Sequence, residues 1–364
     1  MNDIFSKKIT RRNVLKTTVR FCFRAGMISL FLDGFQTQVF GNPAAKISNK
    51  QESDFEPAYL ALHRTGELKQ RADTLWAVME ECRLCPRECG VNRQTGERGF
   101  CRAPGAKLVV SAFNPHFGEE RPLVGKGGSG TIFLTHCNLR CVFCQNWEIS
   151  HLGRGNNSSI DELAKIMLKL QKIGCHNINL VTPTHYSAAI VRALDIAAAK
   201  GLHLPVVYNT SGYERLEILK LLDGIVDIYL PDFKYWDKAM AAKYSAGAER
   251  YPELTRAAAG EMHRQVGVAK PASNGIMQRG LMIRHLVMPN DTSGSEKVME
   301  WIAENLPKDT YVNIMAQYRP VYKAYDYPEI SRRISGEEYD KVVNRAVEIG
   351  LTNLDVKEYR WPFG

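Results

Sequence analysis

Cysteine residues carry the clearest chemical signal in this 364-residue chain, because seven of its nine cysteines fall into two tight groups. This grouped spacing is not typical of a disulfide framework in a chain of this length. The second group follows the pattern CxxxCxxC and consists of Cys137, Cys141 and Cys144. Three thiolates on one short loop can bind three irons of a 4Fe–4S cluster, which leaves the fourth iron open to a substrate or cofactor. Structural zinc and unbound buried thiols are the alternative interpretations.

The first group contains four cysteines with turn-forming residues between them: Cys82, Cys85, Cys89 and Cys101. Four thiolates at this spacing predict a closed metal site, separate from the one predicted at Cys137, Cys141 and Cys144. Zinc and a second iron–sulfur cluster both remain open, and we favour zinc because closed four-thiolate sites of this size are commonly structural. Four unbound thiols are the alternative. Of the other two cysteines, Cys22 belongs to the N-terminal leader and Cys175 is expected to be a small core residue.

Alternating strand and helix patterns surround the three-cysteine loop and must position it. Short β-rich segments are predicted at residues 131–135, 177–182, 205–208, 225–230, 281–287 and 311–315. Helical patterns fall at residues 160–173, 187–200, 214–222, 237–245, 296–304 and 336–349. A further helix is expected within residues 54–81, ahead of the first cysteine group. This alternation predicts an α/β fold with parallel strands.

Polar residues follow most of these strands, and in parallel barrels the chemistry lies at the carboxyl ends of the strands. The candidate cofactor-binding residues are Thr182, Thr184, Asn209, Thr210, Ser211, Asp232, Lys234 and Arg284. Each also has a structural interpretation. Turn chemistry would explain residues 209–212, and an ion pair at the rim would explain Asp232 with Lys234. Binding to a helix C-terminus or to a carboxylate inside the barrel would explain Arg284.

The sequence CNLRCVFCQNW, residues 137–147, resembles the signature of radical S-adenosylmethionine (SAM) enzymes. The pair Gln145-Asn146 is similar to the form found in activating enzymes of glycyl-radical enzymes, such as the pyruvate formate-lyase activating enzyme. The four-cysteine stretch resembles the N-terminal segment of a poorly characterised radical SAM family close to these activases. The resemblance implies a partial (β/α)6 barrel, similar to a TIM barrel, with an N-terminal helical and cysteine-rich extension. It also implies a SAM-binding 4Fe–4S cluster at the three-cysteine loop.

The same resemblance implies roles for individual residues and a function. Asp232 and Lys234 are similar to an Asp-x-Lys of the activases that contacts SAM, and Arg284 stands where the activases place an arginine. A Gly-Gly-Glu run, which contacts the SAM amine in most radical SAM proteins, is replaced here by the residues around Thr182 and Thr184. The implied activity is an oxidoreductase reaction: SAM is cleaved to a 5′-deoxyadenosyl radical that abstracts hydrogen, from a protein or peptide.

Partners follow from that activity: a protein or peptide substrate, such as a glycyl-radical enzyme, and an electron donor such as flavodoxin or ferredoxin. The alternative from another functional class is a non-catalytic, exported iron–sulfur protein that carries electrons or senses redox state. Nucleic-acid binding is not expected. The net charge is +9, but the first 45 residues hold seven cations and two anions, so much of the excess lies outside the folded domain.

The N-terminus resembles a twin-arginine (Tat) export signal. Residues 10–16 read TRRNVLK, an apolar run follows at 21–40, and small residues lie near Gly41 and Ala44. We therefore expect export to the periplasm or membrane, with a basic amphipathic helix on a cytoplasmic protein as the alternative. The expected organisation is a leader at 1–45, a helical four-cysteine segment at 46–127, the barrel at 128–335, and a C-terminal helix and tail at 336–364.

Overall fold

The computed structural model describes residues 55–105 and 107–356. The predictions for the leader, for Cys22 and for the end of the tail lie outside these residues. None of the helices within the described residues is long and apolar enough to span a membrane.

One sheet of nine strands organises the described residues. The strands are β1 Leu108–His116, β2 Ser129–Leu134, β3 Asn156–Ser158, β4 Ile178–Val181, β5 Val206–Thr210, β6 Ile228–Pro231, β7 Gly280–Leu286, β8 Tyr311–Met315 and β9 Leu354–Val356. Their order is β3-β1-β2-β4-β5-β6-β7-β8-β9. Strands β2 and β4 to β9 are parallel, whereas β1 pairs antiparallel with both β2 and β3. The predicted α/β fold with a partial parallel barrel is confirmed.

Helices connect the parallel strands and cover the outside of the sheet. They are α1 Tyr59–Thr65, α2 Glu67–Ala77, α3 Arg121–Val124, α4 Trp147–Ser150, α5 Ile160–Ile173, α6 Ser187–Ala199, α7 Leu216–Leu221, α8 Lys238–Tyr244, α9 Tyr251–Val266, α10 Ser295–Asn305 and α11 Gly336–Glu348. Helix α5 begins at a capping box in which Ser159 and Glu162 exchange side-chain and backbone hydrogen bonds. The helix expected within 54–81 is two helices, because Gly66 adopts a left-handed conformation with φ of 79° between them.

The sheet extends beyond the six predicted strands at both ends. Strands β1 and β3 add an antiparallel flank beside β2, and β9 adds a seventh parallel strand beside β8. Strand β1 lies ahead of residue 128 and β9 lies after residue 335, so the sheet includes parts of the segments expected to flank the barrel. Both flanks contribute residues to the cavity described below.

A short segment closes the barrel from the end opposite the three-cysteine loop. Because β1 runs antiparallel, its last residue pairs with the first residue of β2, and the chain then turns inward through residues 117–124. Leu123 packs in a small interior core with Val207, Ile228 and Met282 from three strands. Residues 117–124, which we call the floor segment, therefore form the base of the barrel interior.

Candidate active site

The three cysteines of the second group line a single cavity of about 1270 Å³ at the carboxyl ends of the parallel strands. Their loop leaves β2 through two residues with positive φ, His136 (66°) and Arg140 (57°). Phe143 anchors the loop, since its ring is buried and packs edge-on against Tyr235 and Tyr318. The loop is thus held by packing and turn geometry at the place where a parallel barrel does its chemistry.

Each sulfur of this loop has a hydrogen-bond partner suited to a thiolate. The Leu139 backbone N–H donates to Cys137 Sγ at 3.3 Å, and Ser245 Oγ donates to Cys141 Sγ at 3.2 Å. Ser150 Oγ lies 3.1 Å from Cys144 Sγ. Such partners orient metal-binding sulfurs and tune the metal they hold. The donor set therefore fits the three-thiolate cluster that the sequence predicts.

Electrostatics in the cavity bring Lys234 into this arrangement. Burial raises the pKa of Cys141 to about 12, while the positive charge of Lys234 acts in the opposite direction. Lys234 also lowers the pKa of Cys144, although burial dominates and keeps that pKa above its ordinary value. The lysine is therefore close to two of the three sulfurs, where it would stabilise their anionic, metal-bound form.

Seven of the eight predicted cofactor-binding residues line the same cavity as the cysteines: Thr182, Asn209, Thr210, Ser211, Asp232, Lys234 and Arg284. Ser211 Oγ is buried and has no hydrogen-bond partner within the described residues, so it can bind a ligand. Thr184 is the exception. It lies behind the cavity wall, fully buried, in the turn that follows β4. It can affect a ligand only through its neighbours.

Arg284 is neutralised by two carboxylates that sequence analysis did not find. Its Nε and Nη2 donate to the two oxygens of Glu120 at 2.6 Å each, and Nη2 also contacts Glu119. Burial alone would raise the pKa of Glu120, but the charge and hydrogen bonds of Arg284 hold it below its ordinary value. Asn209 and Asn313 complete the network with one side-chain hydrogen bond each. Two carboxylates of the floor segment thus join a polar network inside the barrel.

Asp232 and Lys234 form a direct ion pair inside the cavity. Lys234 Nζ donates to Asp232 Oδ2 at 2.6 Å, and both side chains are largely buried. Burial disfavours the charged lysine, but Asp232 raises the pKa of Lys234 above its ordinary value. A largely buried pair beside the cysteine loop differs from the exposed rim pair that was the structural alternative, which would contribute little.

Glu214 is a buried carboxyl that supports one wall of the cavity, and it too was missed. It is 1% exposed, and it accepts hydrogen bonds from Thr184 Oγ1 at 2.5 Å and from Thr210 Oγ1. Burial raises the pKa of Glu214 to about 7, although these hydroxyls and that of Tyr208 act to lower it. No local sequence pattern marks such a residue, because its burial depends on how α7 packs under the strand ends.

The other four cysteines lie together in the segment after α2, and we call them the four-cysteine group: Cys82, Cys85, Cys89 and Cys101. Burial is the main cause that raises the pKa of Cys85. The other three cysteines of the group lie close enough to raise that pKa further. Within residues 55–105 and 107–356, no three His, Cys, Asp or Glu side chains are arranged to hold a single metal ion. Cys175 is buried in the main core, as expected.

Comparison with known proteins identifies related sequences. The family model described as the radical SAM superfamily matches residues 131–259. The uncharacterised protein MJ0674 of Methanocaldococcus jannaschii is 36% identical over 284 residues, which cover 75% of this chain and 76% of that protein. The uncharacterised protein MJ0808 of the same organism is 25% identical over 291 residues, covering 74% and 78%.

The solved structures that match part of this chain have low sequence identity and TM-scores below 0.5. Methylornithine synthase (PylB) has a TM-score of 0.39 with 15% identity, covering 58% of this chain and 59% of that chain. SuiB of Streptococcus suis bound to S-adenosylmethionine has a TM-score of 0.41 with 11% identity, covering 60% and 47%. HydG, a maturase of the [FeFe]-hydrogenase, has a TM-score of 0.41 with 10% identity, covering 79% and 55%. The present chain spans less than two-thirds of each of these three chains.

Proposed function

Since this chain belongs to the radical SAM superfamily, whose enzymes use a 4Fe–4S cluster and SAM, we propose that it acts on a protein or peptide, as the activating enzymes of glycyl-radical enzymes do. When bound, a reduced 4Fe–4S cluster would supply the electron that cleaves SAM, and the 5′-deoxyadenosyl radical so formed would abstract a hydrogen atom from the substrate. Cys137, Cys141 and Cys144 would hold the cluster. The protein would then have to bind SAM beside it, admit the substrate and exclude water while the radical exists.

Cavity size is the observation that carries the peptide assignment. Small-molecule sites commonly enclose roughly 300–1,000 Å³. The cavity of about 1270 Å³ that contains the three cysteines exceeds this range. The cluster and SAM would occupy part of this cavity, and we infer that the remaining space admits a segment of another chain.

The lining of the cavity supports SAM binding next to the cysteines. Lys234 lies near Cys141 and Cys144, so the Asp232–Lys234 pair would meet the charged methionyl end of a SAM molecule bound beside the loop. Ser211, whose hydroxyl lacks a partner within the described residues, offers a donor and an acceptor to a ribose or carboxylate. Arg284 is already bonded to Glu119 and Glu120, so it would act on a ligand as part of that network.

The test is anaerobic SAM cleavage followed by isotope transfer. The reconstituted, dithionite-reduced protein should convert SAM to 5′-deoxyadenosine, and Cys141→Ala should abolish this reaction. Cys175→Ala, at a buried cysteine of the core, is the matched control and should retain it. With a peptide deuterated at a glycyl Cα, deuterium should appear in 5′-deoxyadenosine. It should not appear when an alanine that is also deuterated at Cα replaces that glycine.

Two results would contradict the proposal at different levels. SAM cleavage without deuterium transfer from a panel of glycyl peptides would refute the peptide assignment and leave the superfamily chemistry intact. An intact cluster that never cleaves SAM would favour the electron-carrier alternative. As part of the same proposal, residues 1–45 direct export by the twin-arginine route, and a donor such as flavodoxin or ferredoxin supplies the electron.

A further inference from the structure

Three cations without carboxylate partners lie around the three-cysteine loop: Arg102, Arg140 and Lys323. Arg102 and Lys323 are exposed, and Arg140 is half-buried. None of the three forms an ion pair within residues 55–105 and 107–356, whereas exposed arginines elsewhere, such as Arg64 and Arg154, do. We call these three residues the basic face. Unpaired charges of one sign leave a local positive potential that attracts an anionic partner.

Direct contacts connect the three residues of the basic face through the loop. The Arg140 guanidinium lies 5.9 Å from the centre of the Phe100 ring, and Arg102 follows that ring by two residues. On the other side of Arg140, the Lys323 N–H donates to Val142 O at 3.0 Å. Two distant chain segments therefore flank the loop at Arg140, and each brings one exposed cation.

His151 lies among these three charges. Its ring centre is 4.8 Å from that of Tyr322, the residue before Lys323. Burial lowers the pKa of His151 to about 4, and the charges of the basic face lower it further. The three cations are therefore close enough to act on one point together.

The basic face is directed away from the cavity. Cys137, Leu139 and Cys141 line the cavity, whereas the three cations are not among the described residues that line it. Trp147 and Tyr322, whose rings stack at 5.1 Å, also lie outside that lining. The loop thus separates two surfaces, with the cavity on one side and the basic face on the other.

Neighbouring acidic side chains do not cancel this positive charge. Glu148 pairs with Arg154, and Glu97 accepts a backbone N–H of its own segment. Asp326, three residues after Lys323, is exposed. With Asp326 included, three cations face one carboxylate, and the surface stays positive.

The position of the basic face indicates what can use it. A substrate must enter the cavity to meet the radical, so contact on the outer side of the loop cannot place it for reaction. An electron can cross the thickness of the loop without any atom entering the cavity. A donor protein docked on the outer side would leave the cavity free for SAM and substrate.

We propose that the basic face is the docking surface for the electron donor, an acidic protein that carries a reduced flavin or iron–sulfur centre; this rests on the proposed function. The step is a one-electron transfer in which no bond forms or breaks. The donor is oxidised by one electron, and the cluster held by the three-cysteine loop is reduced by one electron. Opposite charges speed the encounter of the two proteins, and salt screens this gain.

Charge reversal combined with two reductants tests the docking surface. Reduced flavodoxin, an acidic protein, needs to dock, whereas dithionite is small and does not. At low ionic strength, Arg102→Glu/Lys323→Glu should lower the initial rate of 5′-deoxyadenosine formation with flavodoxin by about tenfold, and it should leave the rate with dithionite unchanged. The neutral variant Arg102→Gln/Lys323→Gln should give an intermediate rate with flavodoxin.

Lys172→Glu/Lys200→Glu is the matched control. Both lysines are exposed at the ends of α5 and α6, and the variant changes the net charge by the same amount. It should keep both rates. Equal rates with flavodoxin in the wild type and Arg102→Glu/Lys323→Glu would overturn the proposal, and so would a parallel loss of the rate with dithionite.

A binding measurement separates docking from catalysis. On immobilised flavodoxin, biolayer interferometry should show that Arg102→Glu/Lys323→Glu binds about tenfold more weakly than the wild type, and that added salt weakens only the wild type strongly. Loss of single-stranded DNA binding in this variant with unchanged flavodoxin binding would assign the basic face to nucleic acid and overturn the proposal. If dithionite drives no SAM cleavage in the wild type, the proposed function fails, and the binding comparison still decides the docking surface.

Discussion

Replacing Glu214 with glutamine should flatten the pH dependence of this protein's stability. The residue is 1% exposed, and its carboxyl is surrounded by hydroxyl groups near the carboxyl ends of the parallel strands. Burial raises its pKa from 4.5 to about 7. Because the native state keeps a proton that the unfolded chain loses, the native state is progressively disfavoured as pH rises through this interval.

The size of the effect follows from these two pKa values. Below about pH 4 both states are protonated, and Glu214 adds no pH dependence. Between pH 4.5 and pH 7 the unfolded chain ionises first, and above pH 7 the loss is complete. With 1.36 kcal/mol for each pKa unit, the loss of stability between pH 5 and pH 8 is about 2.5 kcal/mol. Glutamine keeps the shape and hydrogen-bonding capacity of the side chain without a titrating group.

Thermal unfolding under anaerobic conditions, followed by circular dichroism at pH 5 and pH 8, measures this difference. The wild type should lose several degrees of Tm more than Glu214→Gln over this interval. Asp227→Asn is a matched control, because Asp227 is another buried carboxyl whose pKa burial raises to about 7, but it caps the backbone N–H groups of Ala58 and Val206 instead of the cavity wall. It should flatten the same profile, and only Glu214→Gln should also change SAM affinity. Identical Tm shifts in the wild type and Glu214→Gln would refute the assigned protonation state.

Three further outcomes are expected. Ser245→Ala removes the hydrogen bond to Cys141 Sγ, so the reduction potential of the cluster at the three-cysteine loop should fall by tens of millivolts in a spectroscopic redox titration, and an unchanged potential would contradict the contact. Glu120→Ala leaves the buried Arg284 with less compensating charge and should reduce the free energy of unfolding by about 3 kcal/mol, whereas Glu148→Ala breaks an exposed pair and should cost less than about 1 kcal/mol. The leader variant with Arg11→Lys and Arg12→Lys should remain in the cytoplasm on cell fractionation, because a twin-arginine receptor reads the pair itself, and normal export of this variant would contradict the proposal.

Local sequence signals predicted the elements that carry strong local patterns. Helix α5 occupies residues Ile160–Ile173 as expected, since Ser159 supplies a cap and the apolar stripe has a clear helical period. Helix α9 was missed because much of its buried face consists of small or polar residues, such as Thr255, Ala258 and Ala259, which give little hydrophobic contrast. Strand β9 has three residues and is defined only by pairing with β8.

The candidate site shows the same division between local and distant information. Cysteine spacing and the polar strand ends predicted the cavity lining, because parallel strands bring their carboxyl ends together. The carboxylates that neutralise Arg284 come from the floor segment, more than 160 residues earlier in the chain. Ser245 and Glu214 lie in connections whose burial depends on tertiary packing. A polar residue in a connection is usually exposed, so the sequence alone gives no reason to select these two.

Strand β2 joins the two ends of the cavity and therefore sets its depth. The floor segment ends shortly before Ser129, and the three-cysteine loop begins shortly after Leu134. Six residues of strand span about 20 Å, a distance that side-chain substitutions do not change. The width of the cavity is set independently by the strands and loops from β4 to β9. Substitutions in the strands and loops from β4 to β9 can therefore change the substrate side of the cavity. They leave the distance between the three-cysteine loop and the floor segment unchanged.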